Sequence, residues 1–249
     1  MIVQRLIDEV RQDALYRTLA EVRIGIGYTA VLLDDGSCGV SYTFRNELGP
    51  QCGLIDEAGD LAGKNCSEII LWAMDLNLAK CAVGLACINA ILQQHLEGFS
   101  TGNALEQIDF RSGDTVGMIG YFKPVLDRVE GKAKDVYIFE RNITDGGLLP
   151  DWAEDIYLPK CDVVIITGTT LLNKTMDGIL EKCHNAREIV VMGPTAALCP
   201  KVYRQHGVTI LAGVRVVDAQ RVMNVAGEGG GGLVLKDSVV QVFRRLDKR

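Results

Sequence analysis

Histidine is scarce in this chain, and the spacings that usually announce a metal centre are missing. The three histidines, His95, His184 and His206, are scattered. No two of the eight cysteines (Cys38, Cys52, Cys66, Cys81, Cys87, Cys161, Cys183 and Cys199) stand in a Cys-x-x-Cys pair. A structural zinc site has no candidate spacing here, and the thiols read as buried, reduced side chains. Cys183 and His184 are adjacent, and neighbours on a helix do not share a face. A basic surplus is also absent: 26 Lys and Arg stand against 32 Asp and Glu, a net charge of −6. That balance excludes an electrostatic nucleic-acid surface and a polybasic membrane patch. No apolar run reaches the length of a membrane span, and residues 1–10 carry charges where a secretory signal would be continuously apolar. The expectation is a cytoplasmic protein with no nucleic-acid or membrane partner. A nucleophile elbow, a Walker loop and a helical His-Glu-x-x-His are likewise missing.

Apolar surface is plentiful: 48% of the 249 residues are hydrophobic, enough for one large domain or two small ones. From 2 to 22, apolar residues such as Leu6, Val10, Ala14, Leu15, Leu19 and Val22 recur at three- and four-residue steps, which predicts one amphipathic helix. β-branched residues then gather over 22–33, Asp34-Asp35-Gly36 predicts a turn, and 37–44 returns as a second strand. Ser67 stands where it would cap a helix over 69–74, and another helix is expected over 83–97. Gly, Ser, Thr and Asn cluster over 98–113, the one candidate boundary, dividing the chain into units 1–105 and 106–249.

Beyond that boundary the pattern changes. Short apolar runs at 116–121, 136–140, 163–167, 189–193 and 208–212 alternate with helical patterns at 125–129, 171–183, 196–206 and 218–226. The runs lack period-two alternation, as parallel strands covered on both faces should. The predicted fold class is α/β, an N-terminal α+β unit followed by a Rossmann-like parallel sheet.

In such a sheet ligands sit beyond the carboxyl ends of the strands. The residues found there are Gly120, Tyr121, Phe122 and Lys123 after the first run, then Glu140, Arg141 and Asn142, then Thr167, Gly168 and Thr169, then Gly193, Pro194 and Thr195, then Gly213. Glycine lets backbone amides approach an anion, and hydroxyls add donors, so the set suits a phosphate, a carboxylate or a ribose-bearing ligand. Glu140 falls twenty residues beyond Gly120, the offset of an acidic residue that accepts from ribose hydroxyls. Gly117-x-x-Gly120 lacks the third glycine and first-pair spacing of the dinucleotide fingerprint, so no nicotinamide or flavin dinucleotide is indicated and the cofactor is unknown. The run Gly227-Glu228-Gly229-Gly230-Gly231-Gly232 predicts a loop that settles over a ligand, with Glu228 its titratable group. From the first half, Thr29 and Asn89 stand out, Asn89 because a buried amide in an apolar helix needs partners. Candidate acid–base groups are Glu140, Asp151, Glu228 and Glu47.

Gly27-Tyr28-Thr29-Ala30, Asp35-Gly36, Gly39-Val40-Ser41-Tyr42-Thr43, Gly84-Leu85-Ala86 with Asn89-Ala90, Val116-Gly117-Met118-Ile119-Gly120, Gly193-Pro194-Thr195, Leu211-Ala212-Gly213 and the late Gly-Glu-Gly-Gly occur in this order. The set resembles the heavy-metal chelation family, long catalogued as a domain of unknown function. The resemblance covers nearly the whole chain. It implies an N-terminal domain similar to that of enolase, a Rossmann-like C-terminal domain and an active site between them, serving heavy-metal chelation or the making of a chelator. Because the chain offers no ligand cluster of its own, the expected partner is an anionic or nucleoside-bearing small molecule, a metal chelate or its precursor included. A non-enzymatic carrier of a metal or metal chelate stays open beside an enzyme, as does a homo-oligomer.

Overall fold

The computed structural model describes residues 1–49, 53–141 and 146–247, so Cys52 and Asn142 lie outside the described residues. The chain begins with α1 (Ile2–Ala14), whose buried stripe is Ile2, Val3, Leu6, Ile7, Val10 and Ala14. It stops well short of residue 22. Leu15 is half exposed, and Leu19, which continues the helical spacing only by coincidence, is buried in β1 (Leu19–Ile24), where it faces Leu33. With β2 (Tyr28–Leu33) and β3 (Cys38–Tyr42) it forms an antiparallel sheet in the order β1-β2-β3. The turn at Asp34-Asp35-Gly36 lies where the sequence puts it. The run 22–33, read as one strand, is broken at Gly25-Ile26-Gly27, where the Gly25 amide donates to the Tyr28 carbonyl at 3.0 Å.

Two helices pack on this sheet and on its neighbours. α2 (Cys66–Ile69) is capped by Asn65, whose side chain accepts from the Ser67 amide at 2.9 Å, so the cap lies two residues before the serine expected to provide it. α3 (Leu78–Leu92) begins earlier than residue 83 because Asn77 accepts from the Ala79 and Lys80 amides, and it is buried almost all round. Asn77→Ala removes that cap and should lower the stability of the chain by about 1 kcal/mol in urea unfolding.

The second sheet has eight strands in the order β4-β11-β10-β9-β8-β5-β6-β7. They are β4 (Ser100–Thr101), β5 (Thr115–Ile119), β6 (Asp135–Phe139), β7 (Leu148–Leu149), β8 (Val163–Thr167), β9 (Glu188–Met192), β10 (Ile210–Val216) and β11 (Val239–Arg245). From β10 to β7 neighbours run parallel, while β11 and β4 close one edge in antiparallel pairing. Each of the five apolar runs is a strand. Val163 and Ile165 enter one apolar cluster while Val164 and Ile166 enter another, which is why β8 shows no alternation in its sequence. The connections carry α4 (Lys123–Val129), α5 (Glu154–Tyr157), α6 (Met176–Lys182), α7 (Pro200–Arg204), α8 (Ala219–Gly227) and α9 (Gly232–Leu235). α6 starts later than residue 171 because a 3-10 turn over Gly168–Leu171 and a left-handed Lys174 (φ 64°) come first. α7 starts at Pro200, which suits a first helical position. Among the described residues no helix is long and apolar enough to cross a membrane.

Candidate functional site

Strand order reverses between β5 and β8: the chain leaves β5 toward β6 on one side and returns as β8 on the other. A crevice opens beyond the carboxyl ends of strands at such a reversal. Here Gly120 closes β5 in a left-handed turn (φ 87°), its amide donating to the Phe139 carbonyl at 3.0 Å. The cavity above has a volume of about 770 Å³. Its floor is formed by the strand-end residues Gly120, Tyr121, Phe122, Glu140, Arg141, Thr167, Gly168, Thr169, Gly193, Pro194 and Thr195. Its opposite wall is Tyr28, Tyr42, Phe44, Arg45 and Glu47, from β2, β3 and the adjoining turn. A third side comes from 151–155 and from the approach to α6.

Glu140 is half-buried and accepts from the Tyr121 amide at 2.7 Å. Arg141 pairs with Glu47 at 2.8 Å, not with Glu140, and its guanidinium lies 5.7 Å from the centre of the Phe44 ring. Tyr28, Tyr42 and Phe44 stack edge to face, with centroids 6.2 and 5.4 Å apart. Burial, followed by the neighbouring Tyr42, pushes the Tyr28 phenol above its ordinary range. The hydroxyls of Thr167 and Thr169 lie 3.1 Å apart, and Thr195 Oγ1 accepts from the Tyr42 amide at 3.0 Å. At the third side Lys182 lies 2.9 Å from Asp155 and 3.6 Å from Glu154. Glu154 is only 7% exposed, and burial pushes its carboxyl up against the opposing pull of Lys182.

The remaining sequence candidates lie elsewhere. Asn89 sits outside the cavity and joins its two walls: Nδ2 donates to the carbonyls of Val40 (2.8 Å) and Thr195 (3.3 Å). It thus serves both its own sheet and the opposite loop. Thr29 is fully buried, its hydroxyl 3.0 Å from that of Thr43. Lys123 is exposed on the surface, 3.3 Å from Asp127. Gly213 is a packing position, where an added Cβ would stand 2.9 Å from a Leu198 methyl. Glu228, Gly229 and Gly230 do not line the cavity either. The Gly230 amide returns to the Val225 carbonyl at 2.7 Å to end α8, and a Cβ on Gly27 would meet the Gly230 oxygen at 2.6 Å. That close approach requires glycine at Gly27, whereas an added Cβ at Gly231 would meet open space.

Phe44, Trp152, Glu154, Lys174 and Lys182 line the cavity without having stood out in the sequence, and Tyr42 does so having stood only within the motif that carries the resemblance. Tyr28 and Tyr42 are register partners, so an aromatic pair across a hairpin was the available signal. Among the described residues no group of three or more His, Cys, Asp or Glu is placed to hold a metal ion.

A small antiparallel sheet set over the carboxyl edge of a reversing parallel sheet defines an α/β protein with a crevice between two sheets. Two family models, both described as "Putative heavy-metal chelation", match the chain, DUF4213 over residues 7–92 and DUF364 over 103–245, and the chain belongs to this family. An uncharacterized protein of Methanocaldococcus jannaschii is 31% identical over 165 residues, and the match spans 64% of this chain and 64% of that relative's length. The crystal structure of a DUF364-family protein of unknown function from Pyrococcus horikoshii superposes with a TM-score of 0.87 at 26% identity, covering 99% of this chain and 100% of the other. One from Desulfitobacterium hafniense, at 23% identity and a TM-score of 0.83 over 98% and 97% of the two chains, shares the fold.

Proposed function

We propose that the chain binds and transforms a small organic molecule in the cavity between its two sheets, an anionic or nucleoside-bearing compound of the kind that chelates a heavy metal or is built into a chelator. The observation that carries this reading is the 770 Å³ cavity at the strand reversal. It is large enough for a ligand of drug-like or nucleotide size. The floor offers threonine hydroxyls and glycine-flanked amides to oxygen-rich groups, and the aromatic wall offers ring faces to a flat or apolar part. The family description supports a role near heavy metals, and the organic lining favours the chelating molecule over a bare ion as the bound species. In this reading the units 1–105 and 106–249 are two domains that share one site, the first the counterpart of enolase's N-terminal domain.

Isothermal titration with adenine nucleotides, S-adenosylmethionine and polycarboxylate metal chelates tests the reading. Binding of one class is expected. Glu140→Ala, which removes a cavity carboxylate and frees the Tyr121 amide, should weaken it by about tenfold or more, the size of one charge-assisted hydrogen bond. Equal binding by the wild type and the variant would remove Glu140 from the site.

A further inference from the structure

Five carboxyl groups line the cavity, and four of them are engaged as acceptors. Glu47 faces Arg141 at 2.8 Å, Glu140 accepts from the Tyr121 amide at 2.7 Å, and the exposed Asp151 accepts from the Trp152 amide at 2.9 Å. Asp155, with its side chain 69% exposed, takes the short contact to Lys182 at 2.9 Å. Glu154 differs. It is buried, it begins the short α5, and the ammonium it shares with Asp155 stands 3.6 Å away, beyond hydrogen-bond length. Asp151 and Asp155 add negative charge on its own side, and Cys183, the buried residue that ends α6, brings no cation. Lys182, at 3.6 Å, is the opposing charge set beside it, and that charge is divided with Asp155. Groups whose surroundings separate acid from base in one cavity mark the acid–base assignments of a site.

We propose that Glu154 is the proton donor of this cavity, delivering its carboxyl proton to a basic oxygen or nitrogen of a bound organic ligand. The inference rests on the reading of the cavity as a ligand site. In the step the Glu154 O–H bond breaks, the proton forms a bond with the ligand's lone pair, and the carboxylate left behind is held by Lys182. No electron is gained or lost. The direction of the Glu154 shift supports the assignment, since a carboxyl buried beside a half-compensating lysine stays protonated to higher pH than an exposed one.

The test needs no knowledge of the ligand. Diazoacetamide esterifies protonated carboxyl groups and spares ionised ones: the carboxyl proton moves to the diazo carbon, dinitrogen leaves, and the oxygen forms the ester bond. Peptide mapping of the intact protein labelled across about pH 5–8 should find Glu154 modified, with its labelling midpoint shifted to higher pH than that of Asp155. Lys182→Met, which removes the opposing charge, should move the midpoint higher still, while Glu154→Gln should lose the label and keep the fold by circular dichroism. Labelling of Glu154 no stronger than that of Asp155, or a profile unmoved by Lys182→Met, would overturn the proposal. Failure of every compound in the titration above would instead count against the cavity reading, so the two results are separable.

Discussion

Gly168→Ala should lower the stability of the chain by about 3 kcal/mol and abolish ligand binding in whatever fraction stays folded. Gly168 comes directly after β8 and is buried against the loop after β9. An added Cβ would stand 2.3 Å from the Ala196 nitrogen and 2.8 Å from the Thr195 carbonyl carbon. Those are backbone atoms, so no flexible side chain can swing aside and the loop itself must shift. Thr195 in that loop receives the Tyr42 amide on its hydroxyl and the Asn89 amide on its carbonyl. Moving it separates the floor of the cavity from the aromatic wall. Urea unfolding gives the stability loss, and titration of the folded variant gives the binding loss. A variant of wild-type stability would mean that the two strand-end loops are not in contact.

Asp114→Ala should cost more stability, about 3–5 kcal/mol, and leave the cavity intact. Asp114 precedes β5, at the end of the sheet opposite the crevice, and is 6% exposed. Both carboxylate oxygens receive the Arg187 guanidinium, at 2.6 and 2.7 Å, and one also receives the Arg111 amide at 2.7 Å. Truncation strips the arginine of both carboxylate contacts and leaves it the Asp109 carbonyl. Burial pushes the Asp114 carboxyl up, and the Arg187 and Arg111 contacts outweigh it, so its folded-state value lies below the ordinary one. A depressed carboxyl contributes stability that is complete above the unfolded value, about 3.9, and that is lost as pH falls below it. Wild type should therefore lose stability on acidification through that window, and Asp114→Ala should lose less there. Binding per folded molecule should match the wild type, the opposite of Gly168→Ala.

The strands were the most legible part of the sequence. The run 163–167 is β8 to the residue, because β-branched side chains without alternation have few alternatives once helices flank them. The N-terminal helix was overextended since Leu15, Leu19 and Val22 keep helical spacing into a strand, and only pairing with β2 decides against it. Local pattern cannot carry that information. At the site, Gly120, Thr167 and the Gly193-Pro194-Thr195 turn were legible from their positions just after apolar runs, because strand direction and reversal determine which loops meet. Tyr42, Phe44 and Glu154 were not legible in the same way. Their roles depend on how the small sheet sits over the large one and on how α5 meets α6, and those contacts join residues far apart in the chain. The glycine run at 227–232 was legible as unusual, and the structure sets Glu228, Gly229 and Gly230 at the end of α8, outside the cavity, with Gly230 close to Gly27.

The electron density of a crystal grown with whichever titrated compound binds best tests the cavity as a ligand site most directly. That compound is expected between the Phe44 ring and the Thr167 hydroxyl, over the ends of β5 and β8, with Glu140 and Glu154 on either side. A compound bound elsewhere on the chain, with the space above Gly120 filled by solvent alone, would contradict it.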